Sequence, residues 1–123
     1  MGLFSFSKKP RPSKLNWINI TTVEELKQAI AETENVDAIF FKHSSRCSIS
    51  SMALNSFENQ WEQDEKCELY FIDLIAHRDV SSAIGELTGV EHQSPQVIVI
   101  KNNEAVYTAS HNGISAREIK KSV

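Results

Sequence analysis

The segment LYFIDLI, at positions 69–75, is the feature that most limits how this chain can fold. It is nearly continuous in apolar residues, whereas a strand with one face in water alternates apolar and polar residues. Such a run is typical of a strand that is covered on both faces, as in the parallel sheets of α/β proteins. A second run, VIVI at 97–100, predicts another buried strand. We therefore expect a central sheet between two layers of helices.

The segments around these runs alternate between strand and helix patterns. We predict strands at 16–20 and 36–42, and helices at 22–33, 47–61 and about 79–88. Asn102-Asn103 suits a two-residue turn between antiparallel strands at 97–101 and 104–109, and a short helix should follow Gly113. The resulting order, βαβαβαββα, predicts an α/β fold with a central mixed sheet of four to five strands and helices on both faces.

Two of these helices carry more detailed signals. The helix at 22–33 begins with T-V-E-E, which has the form of a capping box. The helix at 47–61 has apolar residues at helical spacing. Its predicted buried face consists of Ile49, Met52, Ala53, Phe57 and Trp61, and its polar residues Asn55, Glu58 and Glu62 fall elsewhere.

Length and charge limit the classes of function that are open to the chain. Its 123 residues suffice for one domain, and a net charge of -3 argues against general nucleic-acid binding, which needs a basic excess. No apolar run approaches the roughly 18–20 residues that span a bilayer. Residues 1–14 lack the order of charged and apolar residues of a secretory signal, so we predict a flexible tail there, a domain at 15–123 and a cytoplasmic location.

Cys47 is the candidate nucleophile, because chemistry in open α/β sheets gathers beyond the carboxyl ends of the parallel strands. It follows the predicted strand at 36–42 and begins the next helix, where unpaired N–H groups and the positive helix end stabilise a thiolate. Lys42 and Arg46 should act in the same direction. Position 50 carries Ser50 where a C-x-x-C pair would have its second thiol, so Cys47 cannot close a local disulfide.

The role of the serines beside Cys47 is open on the sequence alone. Ser48, Ser50 and Ser51 could all cap the helix. Alternatively, the hydroxyl or N–H of Ser50 faces the Cys47 sulfur. Arg46, Ser48 and Ser50 are therefore the predicted supporting residues of the Cys47 site.

The second cysteine, Cys67, is predicted to lie far from Cys47. The helix between them places it about 20 Å away, and a disulfide needs Cα atoms within ~7 Å. Two cysteines also cannot build a disulfide framework of the secreted kind. We expect Cys67 to be a buried structural cysteine, although a resolving role after rearrangement stays open.

Several basic residues should gather at the same end of the sheet as Cys47. Pro95 begins a predicted strand, and it lies at that end if this strand runs antiparallel to 69–75. The other residues expected there are His43, His77, His92, His111, Arg46 and Arg78. No two histidines have the spacing of metal ligands, so no metal site is predicted. They are either scattered surface histidines or a mildly cationic rim that attracts an anionic thiol.

The chain resembles the monothiol bacilliredoxins, the YtxJ-type family of the thioredoxin superfamily that is linked to bacillithiol. The resemblance rests on RCSIS (46–50), GVEHQSPQVIVI (89–100), ASHNGIS (109–115) and the order of elements. It implies a thioredoxin-like fold, a nucleophilic Cys47 and a cis Pro95. It also implies that the Ser94 backbone presents groups to a bound disulfide partner. Arg46 and Ser48 stand where the family usually has Thr and Pro.

The function that this resemblance implies is monothiol thiol–disulfide exchange that removes bacillithiol from mixed disulfides on client proteins. Bacillithiol or another low-molecular-weight thiol would be a co-substrate rather than a tightly bound cofactor, and a disulfide reductase could be a further partner. His92, His111, Arg78, Ser94 and Pro95 are the predicted thiol-binding residues. The alternatives are an iron–sulfur cluster carrier like the monothiol glutaredoxins with C-G-F-S, or a non-catalytic thioredoxin-fold adaptor or stress protein.

Overall fold

The computed structural model describes residues 15–62 and 66–123, so the predicted tail at 1–14 lies outside the described residues. Its strands are β1 (Trp17–Asn19), β2 (Asp37–His43), β3 (Cys67–Asp73), β4 (Gln96–Lys101) and β5 (Glu104–Ser110). Its helices are α1 (Val23–Ala31), α2 (Ser48–Gln60), α3 (Arg78–Thr88) and α4 (Ala116–Lys120). This order confirms the predicted βαβαβαββα pattern.

The five strands form one mixed sheet in the order β1-β3-β2-β4-β5. β1, β3 and β2 are parallel, whereas β4 runs antiparallel to β2, and β5 runs antiparallel to β4. The carboxyl ends of β2 and β3 therefore share one edge of the sheet with the amino end of β4. We call this edge the reactive edge, because Cys47 follows β2 there.

Helices cover both faces of the sheet, as predicted, and each face has its own core. One core joins the sheet to α2 and α4 and contains Ile39 and Phe41 of β2. The other joins the sheet to α1 and α3 and contains Ala38 and Phe40. Since side chains alternate along a strand, the last two side chains of β2, Lys42 and His43, lie on opposite faces of the sheet.

β3 begins and ends two residues earlier than the pattern LYFIDLI predicts. The Asp73 carboxylate accepts hydrogen bonds from the N–H groups of Ile75 and Ala76, at 3.0 and 3.1 Å. These bonds fold the chain into a turn immediately after Asp73. The apolar side chains of Leu74 and Ile75 thus belong to the turn, although their composition resembles that of a strand.

The predicted buried face of α2 is wrong at two of its residues. Ile49 is 44% exposed and Met52 is 71% exposed, whereas Ser50 and Glu58 are buried. Glu58 is buried because its carboxylate accepts a 2.7 Å hydrogen bond from the indole N–H of Trp17. A polar contact between distant segments is invisible to helical periodicity, so the periodicity did not predict that Glu58 lies on the buried side of α2.

The local signals at the ends of elements are confirmed. Thr22 and Glu25 form the predicted capping box of α1. Asn102 and Asn103 have φ values of 49° and 67°, in the left-handed region that a two-residue hairpin turn requires. Gly89, with φ 74°, ends α3. No helix in the described ranges is long and apolar enough to cross a membrane.

Candidate functional site

Cys47 lies at the reactive edge, as predicted, at the N-cap position of α2. A short loop leads to it from the end of β2. Its N–H donates to the Ser44 carbonyl at 3.1 Å, and its own carbonyl accepts from the Ser51 N–H at 3.2 Å, which begins the helix. The thiol is free and half-buried. A sulfur in this position is held by the backbone while it stays within reach of a partner.

Ser50 lies one turn into α2 with its side chain completely buried. Its Oγ accepts a hydrogen bond from the Ser44 N–H at 3.0 Å and lies 2.7 Å from Nδ1 of His43. The Ser50 hydroxyl therefore fastens the end of β2 and the loop after it to the first turn of the helix. The hydroxyl therefore does not cap α2, whereas the alternative that Ser50 faces the Cys47 sulfur stays a prediction from the sequence.

Capping by the other serines was also predicted wrongly. The N-cap residue of α2 is Cys47 itself, and no side chain makes a capping hydrogen bond there. Ser48 is exposed, and so is Arg46 on the other side of Cys47. Both side chains therefore flank the sulfur from solvent, where an incoming substrate would meet them.

The loop between α3 and β4 brings Pro95 to the reactive edge. β4 pairs antiparallel with β2, with Gln96 opposite Lys42, so Pro95 lies beside the end of β2. The Ser94–Pro95 peptide bond is cis, as the resemblance implied. The His111 N–H donates to the Pro95 carbonyl at 3.1 Å. Three loops, which come from distant parts of the chain, thus meet at this edge.

The basic residues that were predicted at the reactive edge differ in exposure. Arg46, Arg78, His92 and His111 are exposed, whereas His43 is buried against Ser50. Within residues 15–62 and 66–123, no three His, Cys, Asp or Glu side chains are grouped so that they could hold a metal ion.

Lys42 does not lie on the α2 face beside Cys47, contrary to the sequence-based expectation. Its side chain follows Phe40 onto the opposite face of the sheet, is completely buried, and places Nζ 2.7 Å from Nδ1 of His92 and 3.1 Å from Oε1 of Gln96. Burial lowers the pKa of Lys42 to about 8. Burial and the charge of Lys42 together lower the pKa of His92. Sequence reasoning missed this cluster, whose one signal was a lysine at the end of the apolar run AIFF.

A cavity of about 330 Å³ adjoins the Cys47 end of α2. We call it the α2 groove. It is lined by Ile49, Met52, Ala53, Ser56, His111, Asn112 and Ile114. The two exposed apolar side chains of α2 therefore form one wall of a depression that begins two residues after Cys47.

Cys67 is buried at the start of β3, and its sulfur is not part of a disulfide. It pairs in register with Asp37, the first residue of β2, whereas Cys47 follows the last. The two cysteines thus lie at opposite ends of the sheet. The prediction that Cys67 is a buried cysteine remote from the site is confirmed.

Comparison with known proteins gives one family and one fold. Residues 18–119 match the family model described as monothiol bacilliredoxin BrxC. A solved structure described as having a thioredoxin fold is 28% identical, with a TM-score of 0.75 over 86% of this chain and 92% of that one. Thioredoxins of Schistosoma mansoni and Trypanosoma brucei brucei are 14% and 12% identical, both with TM-scores of 0.68. They cover 91% and 92% of this chain, and the matches span 96% and 92% of theirs.

Proposed function

This chain belongs to the monothiol bacilliredoxin family, whose members are redox proteins of the thioredoxin fold, and we propose that it removes bacillithiol from mixed disulfides on client proteins. The observation that carries the proposal is the Cys47 site. One half-buried, free thiol begins a helix at the reactive edge, and the residue three positions later is a buried serine. Such a site can exchange disulfides, but it cannot form one of its own.

The proposed reaction is a thiol–disulfide exchange without net oxidation. The Cys47 thiolate attacks the bacillithiol sulfur of the mixed disulfide, and the client sulfur leaves as a thiolate that takes up a proton. One disulfide bond breaks and another forms between Cys47 and bacillithiol. A second thiol or a disulfide reductase then restores Cys47. Cys67 takes no part, because it lies at the other end of the sheet.

The surroundings of Cys47 suit both halves of such a substrate. Bacillithiol carries a malate, and the exposed guanidinium groups of Arg46 and Arg78 are suited to its carboxylates. His111 extends this side of the edge toward the α2 groove, whose apolar wall of Ile49 and Met52 is suited to a polypeptide client. The backbone around Ser94 and Pro95 would align the disulfide opposite the sulfur.

Intact-mass measurements on a bacillithiolated client test the proposal directly. The wild-type protein should release the client thiol and gain the mass of one bacillithiol on Cys47. Cys47→Ala should do neither, whereas Cys67→Ala serves as the matched control and should react like the wild type. Release by Cys47→Ala at the wild-type rate would contradict the proposal. A glutathionylated version of the same client shows which small thiol is preferred.

The two alternative functions remain predictions from the sequence, and each has its own measurement. Visible absorbance after anaerobic reconstitution with iron and sulfide would support cluster carriage. Alkylation of Cys47 by iodoacetamide no faster than that of a free cysteine, together with no transfer of bacillithiol, would support a non-catalytic adaptor.

A further inference from the structure

Two buried polar side chains lie beneath the loop at 89–95, which we call the α3–β4 loop. Lys42 of β2 and Gln96 of β4 are register partners on neighbouring antiparallel strands, so their side chains lie side by side on the α1 and α3 face of the sheet. Neither residue is more than 2% exposed. The reaction proposed above uses neither of them.

These two side chains bind three consecutive residues of the α3–β4 loop. The Gln96 amide nitrogen donates to the Glu91 carbonyl at 2.9 Å. The Lys42 ammonium lies 2.7 Å from Nδ1 of His92. The Gln96 amide oxygen accepts from the Gln93 N–H at 3.3 Å and from Lys42 at 3.1 Å. The loop that leads to Ser94 and Pro95 is therefore fastened from below by one connected network.

Burial of a lysine at this position lowers the free energy of unfolding. Its ammonium group is buried, and within the described part of the chain no carboxylate forms an ion pair with it. The lowering of its pKa to about 8 expresses that cost, because burial disfavours the charged form. Methionine has a similar length and would fill the same space without a charge. What lysine adds is a donor for His92 and Gln96.

The contact with Lys42 also determines the form of His92. An ammonium group can only donate hydrogen bonds, so Nδ1 of His92 must accept, and the proton of the neutral ring must be on Nε2. The lowered pKa of His92 keeps the ring in this neutral form. Since His92 is exposed, it offers the substrate side an N–H donor rather than a positive charge.

We propose that Lys42 is a positioning residue for disulfide exchange, which fastens the α3–β4 loop against the reactive edge and fixes His92 in its Nε2–H tautomer. The positioning of substrate rests on the proposed function, whereas the state of the loop and of His92 does not. Lys42 itself contacts neither Cys47 nor a substrate. It acts through the loop that carries Ser94 and Pro95.

Amide hydrogen exchange tests the first half of the proposal, with Lys42→Met as the variant. The amides of residues 91–94 should exchange about tenfold faster than in the wild type, while those of strand β3 exchange no faster. Lys101→Met is the matched control, because Lys101 lies in β4 at the opposite end of the sheet, 3.6 Å from Asp37, and should leave the loop unchanged. Equal changes in the loop and in β3 would overturn the proposal.

Nitrogen chemical shifts of the His92 ring test the second half. In the wild type, Nδ1 should have the shift of an unprotonated nitrogen and Nε2 that of a protonated one. Lys42→Met should remove this preference and leave a mixture of both tautomers. A protonated Nδ1 in the wild type, or the same tautomer in both proteins, would contradict the proposal.

Kinetics then connect the loop to the reaction. With a bacillithiolated client, Lys42→Met and His92→Ala should each lower kcat/KM about five- to tenfold. Iodoacetamide labelling of Cys47 should change less than about twofold, because the thiol itself is untouched. Wild-type kcat/KM in both variants would contradict the positioning role. If the wild-type protein itself releases no bacillithiol, the proposed function fails. Amide hydrogen exchange and the nitrogen chemical shifts of His92 still decide the role of Lys42.

Discussion

Ser50 occupies the position at which a second cysteine would close a disulfide with Cys47, yet its hydroxyl contacts the end of β2. It accepts from the Ser44 N–H and contacts His43, and both partners are buried. The sequence shows which residue stands at position 50 and therefore predicts one-thiol chemistry. It does not show the direction of the side chain, because that depends on where β2 ends relative to the helix.

Replacement of Ser50 by a thiol should change the product of the reaction. In Ser50→Cys, the new thiol lies in the same helical turn as Cys47, so it can attack the Cys47–bacillithiol disulfide and release the small thiol. Intact-mass analysis should show an internal disulfide, two mass units below the reduced protein, in place of the bacillithiol adduct. An adduct as persistent as that of the wild type would show that Ser50 does not determine where the reaction stops.

The buried charge of Lys42 should make stability depend on pH in a defined window. Burial lowers the pKa of Lys42 from 10.5 to about 8. Between these values the unfolded chain still binds a proton that the folded protein has lost, so the wild-type free energy of unfolding rises with pH across the window. Below pH 8 both states are charged, and the penalty is constant.

Lys42→Met lacks this titration and should be more stable than the wild type at pH 7. The difference should be about 1–3 kcal/mol, since each unit of pKa corresponds to about 1.36 kcal/mol, and it should shrink as pH rises toward 10.5. Urea unfolding at pH 7, 8, 9 and 10 measures it. A variant that is less stable than the wild type at pH 7 would contradict this prediction. A more stable protein with a looser α3–β4 loop would separate positioning from general stability.

At the scale of elements, the existence and order of the strands and helices follow from hydrophobic periodicity. The boundaries and the rotation of α2 do not, because they depend on single polar contacts. The Asp73 carboxylate ends β3 in a turn, and the Glu58 carboxylate accepts a hydrogen bond from Trp17 on the buried side of α2. The Asp73 contacts are local, whereas the contact between Glu58 and Trp17 joins residues 41 positions apart, a separation that no local pattern reveals. Local patterns therefore predict which elements form, while single polar contacts determine where β3 ends and which polar side chain of α2 is buried.

Thr33 allows the contribution of one polar contact between elements to the free energy of unfolding to be measured. It is buried in the turn after α1, where its carbonyl accepts from the Asn102 N–H at 2.8 Å and its hydroxyl oxygen accepts from the Asn103 N–H at 2.7 Å. Thr33→Val keeps the shape but removes both the acceptor of the Asn103 N–H and the hydrogen bond that the Thr33 hydroxyl donates to the Ile30 carbonyl. We expect a loss of about 1–3 kcal/mol in the free energy of unfolding.

Urea denaturation checks this value. Thr21→Val is a suitable comparison, because the Thr21 hydroxyl donates to Glu25 near the surface, and its loss should cost less than about 1 kcal/mol. Equal losses of unfolding free energy in both variants would show that the contact between Thr33 and the hairpin contributes no more to stability than a hydrogen bond near the surface.

At the scale of the whole molecule, the two exposed apolar side chains of α2, Ile49 and Met52, lie together in one groove beside the reactive edge. Exposed Met52 lies in the α2 groove, whereas Leu87, 48% exposed on α3, lies outside it. Met52→Glu should leave thermal stability unchanged and lower the rate with a bacillithiolated protein about fivefold or more, because the charge must be desolvated against the client. Leu87→Glu is the control and should react like the wild type.

A small substrate separates binding of the client from the chemistry. With a short bacillithiolated peptide, or with a low-molecular-weight disulfide, Met52→Glu should keep the wild-type rate, since such a substrate need not cover the groove. An equal loss with protein and with small disulfide would assign the effect to Cys47 rather than to the client surface.

The position of β2 in the sheet has a consequence for the newly made chain. β2 lies between β3 and β4, and the second of these neighbours is complete only at Lys101. The hydrogen bond from the His111 N–H to the Pro95 carbonyl, which completes the reactive edge, can form only after His111 has been added. During synthesis, Cys47 is therefore made before most of the structure that surrounds it in the finished protein. Selective chemistry at this thiol is therefore a property that the chain can acquire only after His111 has been made.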